Sequence, residues 1–226
     1  MNWVLDNLDL IGRLTVVHLR QSLIAIVIGF VIAVPLGWAA FRFTTLRGSV
    51  LTTIGLLYTI PSLGLFALLA TLGIPYLSEL NLIIALTIYA VAIMTRSVTD
   101  GLASVDGDTR AAAVAVGFGP WRRFWRVDFP LAGPVLLAGL RVTAVSTISL
   151  ATVGILIGVQ NLGYLFTNGS ARQIIAEVLA GVIAVVVIAV LIDLVLVLLG
   201  RVLMPWTRRA RTPLRIDPSR AAEVTA

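Results

Sequence analysis

Residues 178–203 read VLAGVIAVVVIAVLIDLVLVLLGRVL, a run in which only Asp193 and Arg201 carry charge. A helix that spans a hydrocarbon core roughly 30 Å thick needs about 20 apolar residues, because each residue rises 1.5 Å. This stretch is long enough to cross. Working back from it, residues 131–159 form another long apolar run with Arg141 as the one charge. Residues 80–98 are shorter and reach a full crossing only by extending past Arg96. Residues 50–72 hold Pro61, and residues 22–41 are uncharged around Pro35, which a membrane helix tolerates. The reading is an all-α polytopic membrane protein with about five transmembrane helices. A break within residues 147–152 would make six.

Composition agrees. Of 226 residues, 59% are hydrophobic and 12% charged, half the charge content of about 25% usual for soluble domains. Mean hydropathy is +1.02. The chain has no Cys and one His, so it offers neither a thiol nucleophile nor a metal-binding cluster. Every basic residue is Arg, which removes Schiff-base chemistry and the lysine of a phosphate-binding P-loop. No catalytic residue, metal site or cofactor of its own is therefore expected. His18 reads as an interfacial side chain at a helix entrance.

The net charge of +6 is a distribution rather than a nucleic-acid surface. With five spans, Arg42, Arg47, Arg96, Arg110, Arg122, Arg123, Arg126 and the six arginines from Arg201 to Arg220 fall on one side. Arg13, Arg20 and Arg172 fall on the other. Thirteen against three makes the first side cytoplasmic. The expectation is a multi-pass protein of the bacterial plasma membrane, N-terminus outside and C-terminus inside. Residues 1–20, with Trp3, Val4, Leu8, Ile11 and Leu14 at helical spacing, read as an interfacial helix before the transmembrane domain 21–203. Residues 204–226 read as a disordered cytoplasmic tail.

The cytoplasmic connection 99–130 is too amphipathic for a span and too structured for a linker. Asp106 or Asp108 can cap a helix running through Arg110, Ala111, Ala112 and Ala113 to Val116. Gly117 can end it in a left-handed conformation, and Gly119-Pro120 restarts the chain. Trp121, Phe124 and Trp125 then share an apolar face flanked by Arg122, Arg123 and Arg126, Pro130 closes the segment, and Pro134 opens the next span. Three alanines in a row would let another surface approach closely. The alternative at this point is an amphipathic anchor in anionic membrane lipid.

This connection resembles the cytoplasmic loop of permease subunits of type I ABC importers. That loop reads Glu-Ala-Ala, three residues, Gly, nine residues, Ile, any residue, Leu-Pro. Here the corresponding stretch is Ala111-Ala112-Ala113, three residues, Gly117, nine residues, Val127-Asp128-Phe129-Pro130. The one departure from the pattern's acidic position is Ala111. The resemblance covers about residues 18–203. It implies docking of the loop on a dimer of separate cytoplasmic ATPase subunits that bind ATP and Mg. It also implies a second permease subunit, alike or homologous, and an extracellular or periplasmic binding protein.

Within that family, Tyr58-Thr59-Ile60-Pro61-Ser62-Leu63, Leu131-Ala132-Gly133-Pro134 with Ala138-Gly139-Leu140-Arg141, and Gly158-Val159-Gln160-Asn161-Leu162-Gly163 resemble permeases for osmoprotectants. The implied substrates are glycine betaine, choline, carnitine or proline betaine. A quaternary ammonium donates no hydrogen bond, so aromatic faces suit it. Tyr58, Pro61, Ser62, Phe66, Tyr89, Ser146 and Thr152 are the candidates for lining the pathway. Arg141 and Asp193, at similar depths and of opposite sign, are expected to pair. The alternatives are an amino-acid permease, for instance for methionine, and an ATP-independent channel or secondary carrier.

Overall fold

The computed structural model describes residues 2–207. The expected tail therefore lies, from residue 208 onward, outside the described residues. Four helices are long and apolar enough to cross a membrane, and one bent helix pair supplies a fifth candidate.

The chain opens with α1 (Asn2–Asp6), followed by α2 (Leu8–Arg42), which at 35 residues is about 52 Å long. Here the structure corrects the expected separate interfacial helix. Residues 8–20 continue into the first span without a break. Leu10, Ile11, Leu14 and Leu19 pack with Val185, Ile188 and Ala189 of the last helix.

After Phe43, α3 (Thr44–Thr59) and α4 (Ser62–Thr71) meet at a bend of 104°. Pro61 explains the break, since the residue before a proline is driven out of the helical region. Ile60 accordingly sits at φ −64°, ψ 125°. Next comes α5 (Glu79–Ala103), whose first turn is capped by the Ser78 hydroxyl accepting from the Asn81 N–H at 3.1 Å. It runs past the expected end at residue 98, and Arg96 pairs with Asp100 one turn on at 3.7 Å.

Two short helices, α6 (Gly107–Ala115) and α7 (Pro120–Arg123), form the connection. A π-helical turn (Phe124–Asp128) then leads directly into α8 (Phe129–Ala151). The expected interruption between Pro130 and Pro134 is absent, and residues 120–157 form one apolar helical run. Pro130 has no N–H to donate, and the wider turn just before it, closed by the Phe129 N–H on the Phe124 carbonyl, takes up the misfit. No sixth span forms at 147–152. Instead the helix tightens into a 3₁₀ segment (Thr152–Ile157) that Gly158 ends at φ +75°. The chain finishes with α9 (Gly163–Ala171) and α10 (Ile175–Leu203).

Apolar surface is no driving force in lipid, so spans must fit by close backbone approach and polar contacts. Gly29, Ala33 and Gly37 recur every four residues on α2 and face α5. A Cβ on Gly29 would meet that of Ala90 at 2.6 Å, and one on Gly37 would meet Val98 at 2.6 Å. The outer face of α10 stays apolar and exposed at Leu179, Ile183, Val187, Leu191 and Leu198, as a lipid-facing surface does.

Candidate functional site: the cytoplasmic connection and the groove above it

At the start of α6 the Asp106 carboxylate accepts from the Thr109 N–H at 3.0 Å. Backbone N–H groups of Thr109 and Asp108 hold its carboxyl below the ordinary aspartate range. Gly117 ends the helix at φ +85°, and its N–H bonds the Val114 carbonyl while the Phe118 N–H reaches Ala113, closing the αL turn. Gly119 stands extended at φ −69°, ψ 164°, and Pro120 begins α7. The expected face of three alanines is narrower in the structure. Ala111 and Ala112 are exposed, but Ala113 turns inward at 8% exposure. Val114 and Val116 extend the exposed surface instead.

Beneath α6 lies an arrangement that the motif alone does not reveal. Asp128, 3% exposed, accepts from Arg110 Nε at 2.8 Å and from Arg123 Nε at 3.1 Å. Arg110 also donates to the Leu102 carbonyl at the end of α5 and lies 4.8 Å from the Phe41 ring of α2. One arginine of α6 thus touches the loop-side ends of α2, α5 and α8. Beside it, Trp121, Phe124, Trp125 and Phe129 form a continuous ring cluster, with centroids 4.9 Å apart for Phe124–Trp125 and 5.5 Å for Trp125–Phe129. Val127 and Pro130 are half-buried.

A groove of about 530 Å³ lies between α3, α5 and α8. Arg96, Ser97 and Asp100 line it, and Tyr58 and Ser146 lie farther along their helices. Charged side chains within membrane helices face water-filled cavities or other polar groups, and here Arg96 and Asp100 pair with each other along the groove. Of the lining candidates, Tyr58 and Ser146 are brought together here. Phe66 is instead 1% exposed, in the core, with its carbonyl accepting from Asn81 Nδ2 at 3.1 Å. Tyr89 is also buried: its ring meets Tyr58 edge-on at 6.0 Å and its hydroxyl donates to the Ile60 carbonyl at 2.5 Å. It braces the bend that Pro61 creates and Ser62 follows. Thr152 donates to its own helix at Ser149 and lies apart from the groove.

Arg141 and Asp193 form a two-pronged ion pair joining α8 to α10, at 2.6 and 2.7 Å. Such fork-to-fork geometry keeps both charges satisfied at membrane depth. A second polar knot, not anticipated from the sequence, lies at the opposite end. His18 is fully buried rather than interfacial, and its Nε2–H donates to the Ile148 carbonyl at 2.9 Å. Asn161 donates to Gln21 at 3.2 Å and to the Ala151 carbonyl at 2.7 Å, and accepts from the Gly163 N–H at 2.8 Å. In the sequence it shows only as Asn161 in the 158–163 stretch and as His18 and Gln21 near the start of the first span.

Comparison with known proteins bears on what this arrangement belongs to. The chain is 31% identical over 211 residues to the osmoprotectant import permease protein OsmW of Salmonella typhimurium, covering 91% of this chain and 97% of that one. It is 32% identical over 190 residues to the glycine betaine/carnitine/choline transport system permease protein OpuCB of Bacillus subtilis, covering 83% and 86%. An ergothioneine transport permease/ergothioneine binding protein, EgtU of Helicobacter pylori, is 35% identical over 152 residues, 67% of this chain and 27% of its own length. In fold, the chain superimposes on the MetNI methionine ABC transporter in an inward-facing conformation with a TM-score of 0.79, at 19% identity, over 88% of this chain and 98% of that one. The sequence of residues 25–209 matches one family throughout, and the chain belongs to it: the binding-protein-dependent transport system inner membrane components, multi-pass transporter subunits of the type I ABC importer permease fold.

Proposed function

We infer that this chain is the membrane permease of an ATP-driven importer of osmoprotectant quaternary amines, among them glycine betaine, choline, carnitine and proline betaine. The observation that carries the importer reading is the cytoplasmic connection. Its α6 is capped, ended at a left-handed glycine and anchored to three spans, yet its outer face of Ala111, Ala112 and Val114 is left exposed. Such a face suits the cleft of a cytoplasmic ATPase. ATP and Mg bind there, on a dimer of ATPase subunits, and hydrolysis is not a property of this chain. A second permease subunit closes the groove, and a binding protein outside delivers substrate. The thirteen arginines lie on the ATPase side, with the N-terminus outside.

Substrate class rests on the relatives, which are named for osmoprotectants, glycine betaine, carnitine and choline. Ergothioneine, named for a further relative, likewise carries a trimethylammonium group. The groove is compatible: Tyr58 offers a ring face to a cation that donates no hydrogen bond, and Arg96, Ser97 and Asp100 keep the path wet. Uptake by proteoliposomes holding permease, ATPase and binding protein tests the assignment. Radiolabelled glycine betaine or carnitine is expected to accumulate and unlabelled choline to compete, with methionine inert. Accumulation of methionine with no effect of quaternary amines would replace this reading by the amino-acid permease.

A further inference from the structure

Asp128 is a buried carboxylate with two charged partners. It sits in the π-helical turn, 3% exposed, and each carboxylate oxygen receives a different guanidinium. Removing a carboxylate from water is costly unless charged partners replace the lost solvent. Two arginines do so here, and their side chains are themselves only 19% and 23% exposed. The partners come from different helices: Arg110 from α6 and Arg123 from α7. Arg110 continues to the Leu102 carbonyl, so the same guanidinium bridges α6, the end of α5 and the start of α8. The Phe41 ring adds the end of α2 at 4.8 Å.

The consequence is mechanical. α6 lies between a loop at residues 104–106 and the αL turn at Gly117, and the clamp ties it to the end of α5 and the start of α8. With it, a displacement of α6 must carry the ends of α5 and α8 along. Those two helices line the groove: Asp100 is two residues from Leu102, and Ser146 belongs to α8. Resting on the importer reading above, we propose that Asp128, clamped by Arg110 and Arg123, is the positioning residue that transmits ATPase-driven motion of α6 to the groove. Ala111 stands where the family pattern has an acid. The clamp's acid lies buried between α6, α7 and the start of α8, away from the exposed Ala111 and Ala112.

The chain has no cysteine, so Ser146→Cys gives a single reporter in the groove, in a complex whose ATPase is made cysteine-free. In the Ser146→Cys complex, trapping with ATP and vanadate is expected to change the rate of labelling by a water-soluble maleimide at least about fivefold, the scale of a coupling free energy near 1 kcal/mol. Adding Asp128→Asn should shrink that change below about twofold while ATP hydrolysis persists and the ATPase still co-purifies. Arg110→Gln should act alike, and the double variant should be no worse than either single one, because both break one link. Hydrolysis, docking and labelling response falling together in both single variants would make the clamp merely structural and overturn the proposal. So would an undiminished labelling response. A complex lacking both substitutions, whose labelling ignores nucleotide, would overturn the importer reading itself and the clamp's role with it. That failure is read in a different arm and so is distinguishable.

Discussion

Asn161 carries more of the far end of the molecule than its size suggests. Its side chain satisfies the Ala151 carbonyl, the Gly163 N–H and the Gln21 amide, all out of contact with water. Truncation to Ala leaves those groups unpaired, at a cost of about 1–3 kcal/mol, and should lower the unfolding midpoint in detergent. An unchanged midpoint would show that water replaces the side chain there. Gly163 is the tighter test. A Cβ at that position would come within 2.0 Å of the Thr152 carbonyl oxygen, so Gly163→Ala must shift backbone and should destabilise more than an exposed Gly48→Ala. Sequence spacing suggested the Arg141–Asp193 pair because depth in a span follows from counting residues. It could not suggest Asp128 or His18, whose partners lie on other elements and are fixed only by tertiary packing.

At the scale of elements, the chain's punctuation was legible and its continuity was not. Pro61 bends the second span, Gly117 ends α6 and Pro120 begins α7, each where local backbone chemistry requires. Helices nevertheless run through Gly12, Pro130 and Pro134, because packing and a π turn absorb what an isolated peptide would not. Gly117 separates backbone from packing cleanly, since a Cβ there would meet nothing within 4 Å. Gly117→Val should cost on the order of 1–2 kcal/mol from the left-handed backbone alone and weaken ATPase co-purification. Gly117→Asn should be tolerated better, since Asn visits that region more readily. Equal losses for Asn and Val would mean that the ATPase contacts the glycine itself. Acid should spare the cap of α6 for longer than an ordinary carboxylate would allow. The folded-state pKa of Asp106 is depressed, so its capping stabilisation is present above the ordinary value of 3.8 and is lost only as pH falls through the lowered one. ATPase docking should therefore show no pH dependence from this group above pH 5. Asp106→Asn, which keeps an acceptor without the charge, should match wild type there.

On the scale of the whole molecule, low charge content and an uneven spread of arginine describe one design. The spans present apolar residues to lipid on α10, small residues to each other between α2 and α5, and Arg96, Ser97, Asp100 and Ser146 to the groove between α3, α5 and α8. None of these supplies energy. Among the described residues, α6 is an exposed helix outside the spans that is tied to the ends of α2, α5 and α8, and it is where the proposed ATPase would act. The most direct measurement is uptake of labelled glycine betaine into proteoliposomes at fixed permease content, with and without the ATPase subunit and ATP. Accumulation is expected only when both are present, and none with an ATPase unable to hydrolyse. Uptake that persists without the ATPase would contradict the importer reading and identify a channel or secondary carrier.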